Sequence, residues 1–170
     1  MPGLYAVAGK LGSGKTLVAT ALVNALNYIN PHKGILTNYN VDGAEKIANF
    51  DDIRGAQSKY IVLDEVHMFA NSRHFKKNDK ITEFCLITRK KDLDVFLISQ
   101  RFLQIDVSIR EIIDILLYCK MDYESKDINV HVIDMDTQVE LNVWNIPYSL
   151  YSQFFGIYDT LELPVNFMKD

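Results

Sequence analysis

Residues Gly9 to Thr16 read Gly-Lys-Leu-Gly-Ser-Gly-Lys-Thr and stand between a short apolar run, Leu4–Ala8, and a helical run, Leu17–Tyr28. The pattern GxxxxGK[ST] in the context strand, loop, helix is a phosphate-binding loop, so a bound nucleoside triphosphate is expected. Glycines at 9, 12 and 14 let the backbone curl, and the N–H groups of Gly9, Lys10, Gly12, Ser13 and Gly14 then point inward with the helix N-terminus behind them. Lys15 is placed to reach the β- and γ-phosphates. Thr16 offers its hydroxyl to a magnesium ion that keeps most of its waters.

The rest of the chain reads as one α/β domain, 1–170, with a doubly wound, mainly parallel sheet. A chain of 170 residues buries about 70% of its unfolded surface, enough for a core without disulfide staples. Hydrophobic content of 48% and charged content of 24% are ordinary for a globular protein, and no apolar run approaches the ~20 residues of a membrane span. The N-terminus enters a strand with no basic leader, so an intracellular protein is expected. Cys85 and Cys119 lie in separate apolar segments without metal or redox spacing and read as core thiols. A net charge of −4 is not the global signature of a nucleic-acid binder. One local exception exists: Arg73, His74, Lys76, Lys77 and Lys80 fall close together between two apolar elements, as a DNA-backbone contact or as a solvated loop and helix start.

Strand-like and helix-like runs alternate. Gly34–Asn38 predicts a second strand and Ala44–Ala48 a weak helix; Tyr60-Ile61-Val62-Leu63-Asp64-Glu65 is a continuous apolar run ending in two carboxylates, as in a buried parallel strand. A helix at about Lys80–Lys90, a strand Asp94–Ser99 tipped by Gln100, a short helix Val107–Ile112 and a strand Ile115–Cys119 follow. Ligands of such sheets bind beyond the carboxyl ends of the strands, where the motifs all land. Past Cys119 the period becomes two, with Val130 and Val132, then Val139, Leu141 and Val143, around Asp134-Met135-Asp136-Thr137, which predicts a β-hairpin extending the sheet. Tyr148, Tyr151, Phe155 and Tyr158 at helical spacing predict a packing stripe on a short C-terminal helix rather than a base-stacking platform.

The paired carboxylates indicate the chemistry. Asp64 at a buried strand end suits magnesium, directly or through water. Glu65, expected on the other side of the pleat, can orient and deprotonate an attacking water, which favours hydrolysis over phosphoryl transfer. Gln100, whose amide donates and accepts at once, is placed to sense the γ-phosphate. A small P-loop kinase would need an acceptor pocket and an arginine-rich lid, and no such insert is visible. A nucleotide-dependent binding module has no use for Glu65.

Ile61 to His67, Arg89 with Lys90-Lys91-Asp92-Leu93-Asp94, and Val95 to Arg101 together resemble the core of the FtsK/HerA superfamily of P-loop motors. The likeness is to its small viral branch of genome-packaging ATPases and to the zonula occludens toxin-like phage assembly proteins, and runs from about Leu4 to Tyr118. It implies a P-loop NTPase of the additional-strand glutamate type, hydrolysing ATP with Mg2+ and translocating DNA, which for the viral branch means the double-stranded form. Lys15, Thr16, Asp64 and Glu65 then take the roles given above, Gln100 is the sensor, and Arg89 reaches the nucleotide of a neighbour in a homo-oligomeric ring, hexamer or pentamer. Arg73, Lys76, Lys77 and Lys80 become the DNA grip. The resemblance further implies a viral capsid or portal-like vertex as partner and the host cell cytoplasm or the virion vertex as location. Absence of a membrane span favours packaging over the toxin-like extrusion of single-stranded DNA.

Overall fold

A computed structural model describes residues 3–68, 75–158, 164, 165 and 167, with backbone alone over 75–79. Eight strands form one sheet: β1 (Leu4–Ala8), β2 (Gly34–Thr37), β3 (Glu45–Lys46), β4 (Lys59–Leu63), β5 (Leu93–Ser99), β6 (Ile115–Met121), β7 (Ile128–Asp134) and β8 (Glu140–Ile146). Their order is β3-β2-β4-β5-β1-β6-β7-β8. The first six pair in parallel, whereas β7 and β8 are antiparallel. β5 therefore lies between the strand before the phosphate loop and the strand before Asp64, which is the additional-strand arrangement expected from the sequence.

Helix α1 (Lys15–Ile29) covers one face, and α2 (Phe50–Gly55), α3 (Phe75–Ile87) and α4 (Val107–Arg110) cover the other. On the α1 face Leu17, Val18 and Val23 pack on Val7, Val62, Phe96 and Ile98. On the opposite face Ile53, Ile81, Phe84, Ile105 and Ile109 pack on Ala6, Ile61, Leu63, Val95 and Leu97. All seven residues of β5 are buried, which is why Val95–Ile98 reads as a continuous apolar run rather than an alternating one. Cys85 and Cys119 are free and buried, and burial pushes each thiol up to about 12. Both are inert core groups at neutral pH, as expected.

Several boundaries differ from the sequence reading. No helix forms over Ala44–Ala48: Glu45 and Lys46 pair with Leu36 and Thr37 as β3, after Gly43 turns the chain at φ +79°. The helix starts later because Asn49 caps it, accepting the N–H groups of Asp51 and Asp52 while Asp52 accepts that of Asn49, a complete capping box. α3 ends at Ile87, and Arg89–Lys91 form a separate 3-10 turn. The C-terminal helix, α5 (Tyr148–Tyr151), is a single turn continued by a 3-10 turn, Ser152–Phe154. Only Tyr151 of its aromatics is fully buried, with Tyr148 and Phe155 half exposed around it. Tyr158 instead bridges to Val41. Among the described residues no helix is long and apolar enough to cross a membrane.

Candidate active site

β1, β4 and β5 end side by side, and each hands its next residues to the same edge. The phosphate loop after β1 is tightly seated. A Cβ on Gly9 would lie 2.4 Å from the Cys119 carbonyl oxygen and 2.5 Å from Ser13 Oγ, so the loop closes only without a side chain there. Gly14 has φ +84° and a Cβ on it would lie 2.4 Å from Ile128 Cδ1, so hairpin strand β7 presses on the loop just where α1 begins. Lys10 and Gly12 are exposed. Lys15 is buried and its ammonium donates to the Lys10 carbonyl at 3.0 Å, held over the loop. Ser13 Oγ is buried without a hydrogen-bond partner, an unsatisfied polar atom of the kind that a polar ligand satisfies.

Thr16 Oγ1 donates to Asp64 Oδ2 at 2.7 Å, and Glu65 N–H donates to Asp64 Oδ1 at 2.7 Å. The Thr16 and Asp64 side chains give a hard, oxygen-only pair of ligands that fits Mg2+. Burial raises the Asp64 carboxyl above the ordinary carboxylate range, against hydrogen bonds from Thr16 and Glu65 that lower it. Because the folded pKa lies above the unfolded one, the ionised form costs stability, and stability falls as pH rises through the interval between the two values. Asp64→Asn is therefore expected to raise the melting temperature of the nucleotide-free protein while abolishing further stabilisation by Mg2+ on top of ATP. Thermal denaturation with and without the two ligands measures both effects.

Glu65 is not the next residue of a pleat. β4 stops at Leu63, and Asp64 and Glu65 lie in a turn in which Glu65 is left-handed at φ +52°. This corrects the alternation expected from the sequence: turn geometry, not pleat, aims the carboxylate. Gln100 Nε2 donates to Glu65 Oε1 at 3.3 Å, so the tips of β4 and β5 bring the expected water-activating residue and the expected sensor together. His67 Nδ1 lies 3.0 Å from Glu65 Oε2, a neighbour to which the sequence reading gives no role.

Arg89 stands elsewhere. Its guanidinium is 70% exposed and pairs with Asp114 Oδ1, while Asp114 Oδ2 accepts the Leu4 N–H at 2.8 Å. Both contacts are at the amino ends of β1, β5 and β6, a strand length or about 20 Å from the phosphate loop. The arginine is thus out of reach of its own site. Arg73 lies outside the described residues, as do the side chains of Lys76 and Lys77, whereas Lys80 is exposed on α3. Arg101, beside Gln100, is exposed. Sequence reasoning misses Asn38 and Asp114, whose partners lie far along the chain.

A comparison with curated proteins returns no match. Among solved structures the chain is similar to the N-terminal domain of zonular occludens toxin from Neisseria meningitidis, with 12% identity, a TM-score of 0.67 and coverage of 94% of this chain and 100% of that one. It is also similar to the genome packaging NTPase B204 from Sulfolobus turreted icosahedral virus 2 in complex with ATP-gammaS, with 11% identity, a TM-score of 0.60 and coverage of 85% of this chain and 96% of that one. At such identities the likeness carries the P-loop NTPase fold alone. The family model for the ATPase family associated with various cellular activities (AAA) matches residues 5–121. That span holds the phosphate loop, Asp64, Glu65 and Gln100 on their adjoining strands, and the chain belongs to this AAA family of ATPases.

Proposed function

We propose that the protein is a Mg2+-dependent DNA translocation motor of the FtsK/HerA type that works as a ring, and that it packages a viral genome. The observation that carries this reading is the division of the catalytic set. Glu65 and Gln100 meet at the carboxyl ends of the strands, where the phosphate loop also lies, whereas Arg89 stands exposed at the amino ends and in this reading serves a site on another subunit. In this reading Lys15 and the loop N–H groups hold the phosphates of ATP, Thr16 and Asp64 hold Mg2+, and Glu65 takes a proton from the attacking water. When bound, Mg2+ neutralises charge on the β- and γ-phosphates. Hydrolysis then waits on a neighbour's guanidinium, which ties firing to assembly. Similarity to the packaging NTPase B204 supports the viral branch.

The second reading, a phage assembly ATPase acting on single-stranded DNA, is favoured by the match to the whole of the Neisseria domain. Hydrolysis measured with double-stranded DNA, with single-stranded DNA and without DNA, beside a sizing run with nucleotide present, separates the two. Packaging requires stimulation by the duplex and a closed oligomer; stimulation by the single strand alone selects the assembly reading, and a monomer unresponsive to either removes both.

The basic stretch supplies a further expected result. Neutralising Lys76, Lys77 and Lys80 together weakens DNA binding equally for all sequences and reduces the salt slope, log K against log[salt], by about 2–3, because each phosphate contact releases about one counterion. Binding titrations at several salt concentrations measure the slope. An unchanged slope returns the stretch to solvated surface.

A further inference from the structure

Asn38 follows directly on β2 and is fully buried, yet its amide does not serve its own strand. Nδ2 donates to the Asp64 carbonyl at 3.0 Å, and Oδ1 accepts the Asp64 N–H at 2.7 Å. One side chain thus pairs with both backbone groups of a residue just past the end of β4, where the β2–β4 ladder has already stopped at Val62. The amide prolongs the ladder by one step with side-chain atoms.

A second set of bonds leaves Asn38 in the other direction. Its backbone carbonyl accepts the Val165 N–H at 2.7 Å, and Nδ2 lies 3.3 Å from the Val165 carbonyl. Beyond it Phe167 is buried in the core on the α2–α4 face. Before it the Ile157 carbonyl accepts the Asp42 N–H at 2.9 Å, and Tyr158 bridges to Val41. The C-terminal segment is therefore attached to the stretch just after β2 at several described points, and at one of them it shares an amide with the Asp64–Glu65 turn.

The turn needs such support. A glutamate at φ +52° sits in a region unfavourable to residues with a Cβ, and such conformations persist where the surroundings over-determine them. The direction of the Glu65 carboxylate and the place of Asp64 both follow from this turn.

We infer that Asn38 is a positioning residue for ATP hydrolysis, fixing the Asp64–Glu65 turn, and that Val165 is its second anchor, so that the C-terminal segment and the catalytic turn share one restraint. The inference rests on the roles proposed for Asp64 and Glu65, whose failure would show separately as full turnover by Glu65→Gln.

The test uses the full chain with two substitutions. Asn38→Leu keeps the approximate shape and removes every side-chain hydrogen bond of residue 38; Val165→Pro removes the N–H that reaches the Asn38 carbonyl and fixes φ there. Steady-state hydrolysis is measured against ATP and, at saturating ATP, against Mg2+, well below each variant's melting temperature. Asn38→Leu lowers kcat at least about 10-fold and raises half-saturating Mg2+ several-fold, the usual scale for losing a support behind metal ligands. ATP binding without Mg2+ stays as in the wild type, because the phosphate loop is untouched. Val165→Pro shifts kcat and half-saturating Mg2+ in the same directions by less. A lowered melting temperature with wild-type kcat and Mg2+ dependence overturns the positioning role. Should Asn38→Leu fail to fold, Val165→Pro decides alone: an unchanged Mg2+ dependence overturns the inference.

Discussion

Arg89→Ala binds ATP like the wild type and hydrolyses it about 10³-fold or more slowly, the scale on which a guanidinium supplied in trans acts on phosphoryl transfer. The expectation follows from position. The guanidinium is paired with Asp114 at the amino ends of the strands, while the phosphate loop, Asp64 and Glu65 lie at their carboxyl ends. The decisive measurement mixes Arg89→Ala subunits with an excess of Glu65→Gln subunits, whose own sites are dead but whose Arg89 is intact. Activity partly returns, because an Arg89→Ala site borrows the neighbour's guanidinium and uses its own glutamate. A mixture as inactive as its components, with mixed oligomers shown to form, rules the trans role out.

Glu65→Gln retains ATP and loses hydrolysis by at least ~100-fold, the usual scale for a general base. Glutamine keeps the volume and can still meet the Gln100 amide, so the change isolates proton transfer. Lys15→Ala differs in kind, weakening nucleotide binding itself. Equilibrium binding of a labelled nucleotide beside steady-state turnover distinguishes the two. Wild-type turnover by Glu65→Gln would strike this residue from the mechanism.

How far the sequence can be read depends on which interactions are local. The phosphate loop is legible because its glycines answer to the loop's own geometry, and β5 because Val95–Ile98 is a short continuous apolar run rich in strand formers. The region 44–48 misleads, since its conformation is decided by pairing with Leu36 and Thr37 and by a cap at Asn49, not by propensity. Glu65 can be identified as a residue but not as a position, because only the three-dimensional turn reveals its left-handed backbone. Asn38 and Asp114 are invisible for another reason: their partners, Asp64 and Val165 in one case and Leu4 and Arg89 in the other, lie far along the chain. Nothing near them in sequence announces those bonds.

The place of β1 in the sheet also bears on the order in which the chain can be assembled. Its strand partners are β5 and β6, and its first N–H is satisfied by Asp114, 110 residues further on. During synthesis β1 and the glycine-rich loop emerge before β5 and β6, and find no strand neighbours until those have followed. Such long closures make folding slow and leave apolar strand surface open to strangers in the meantime. The phosphate loop is thus translated before the strands that seat it, since Gly9 packs against Cys119 of β6 and Gly14 against Ile128 of β7, and its nucleotide site is complete only once the sheet around it has formed.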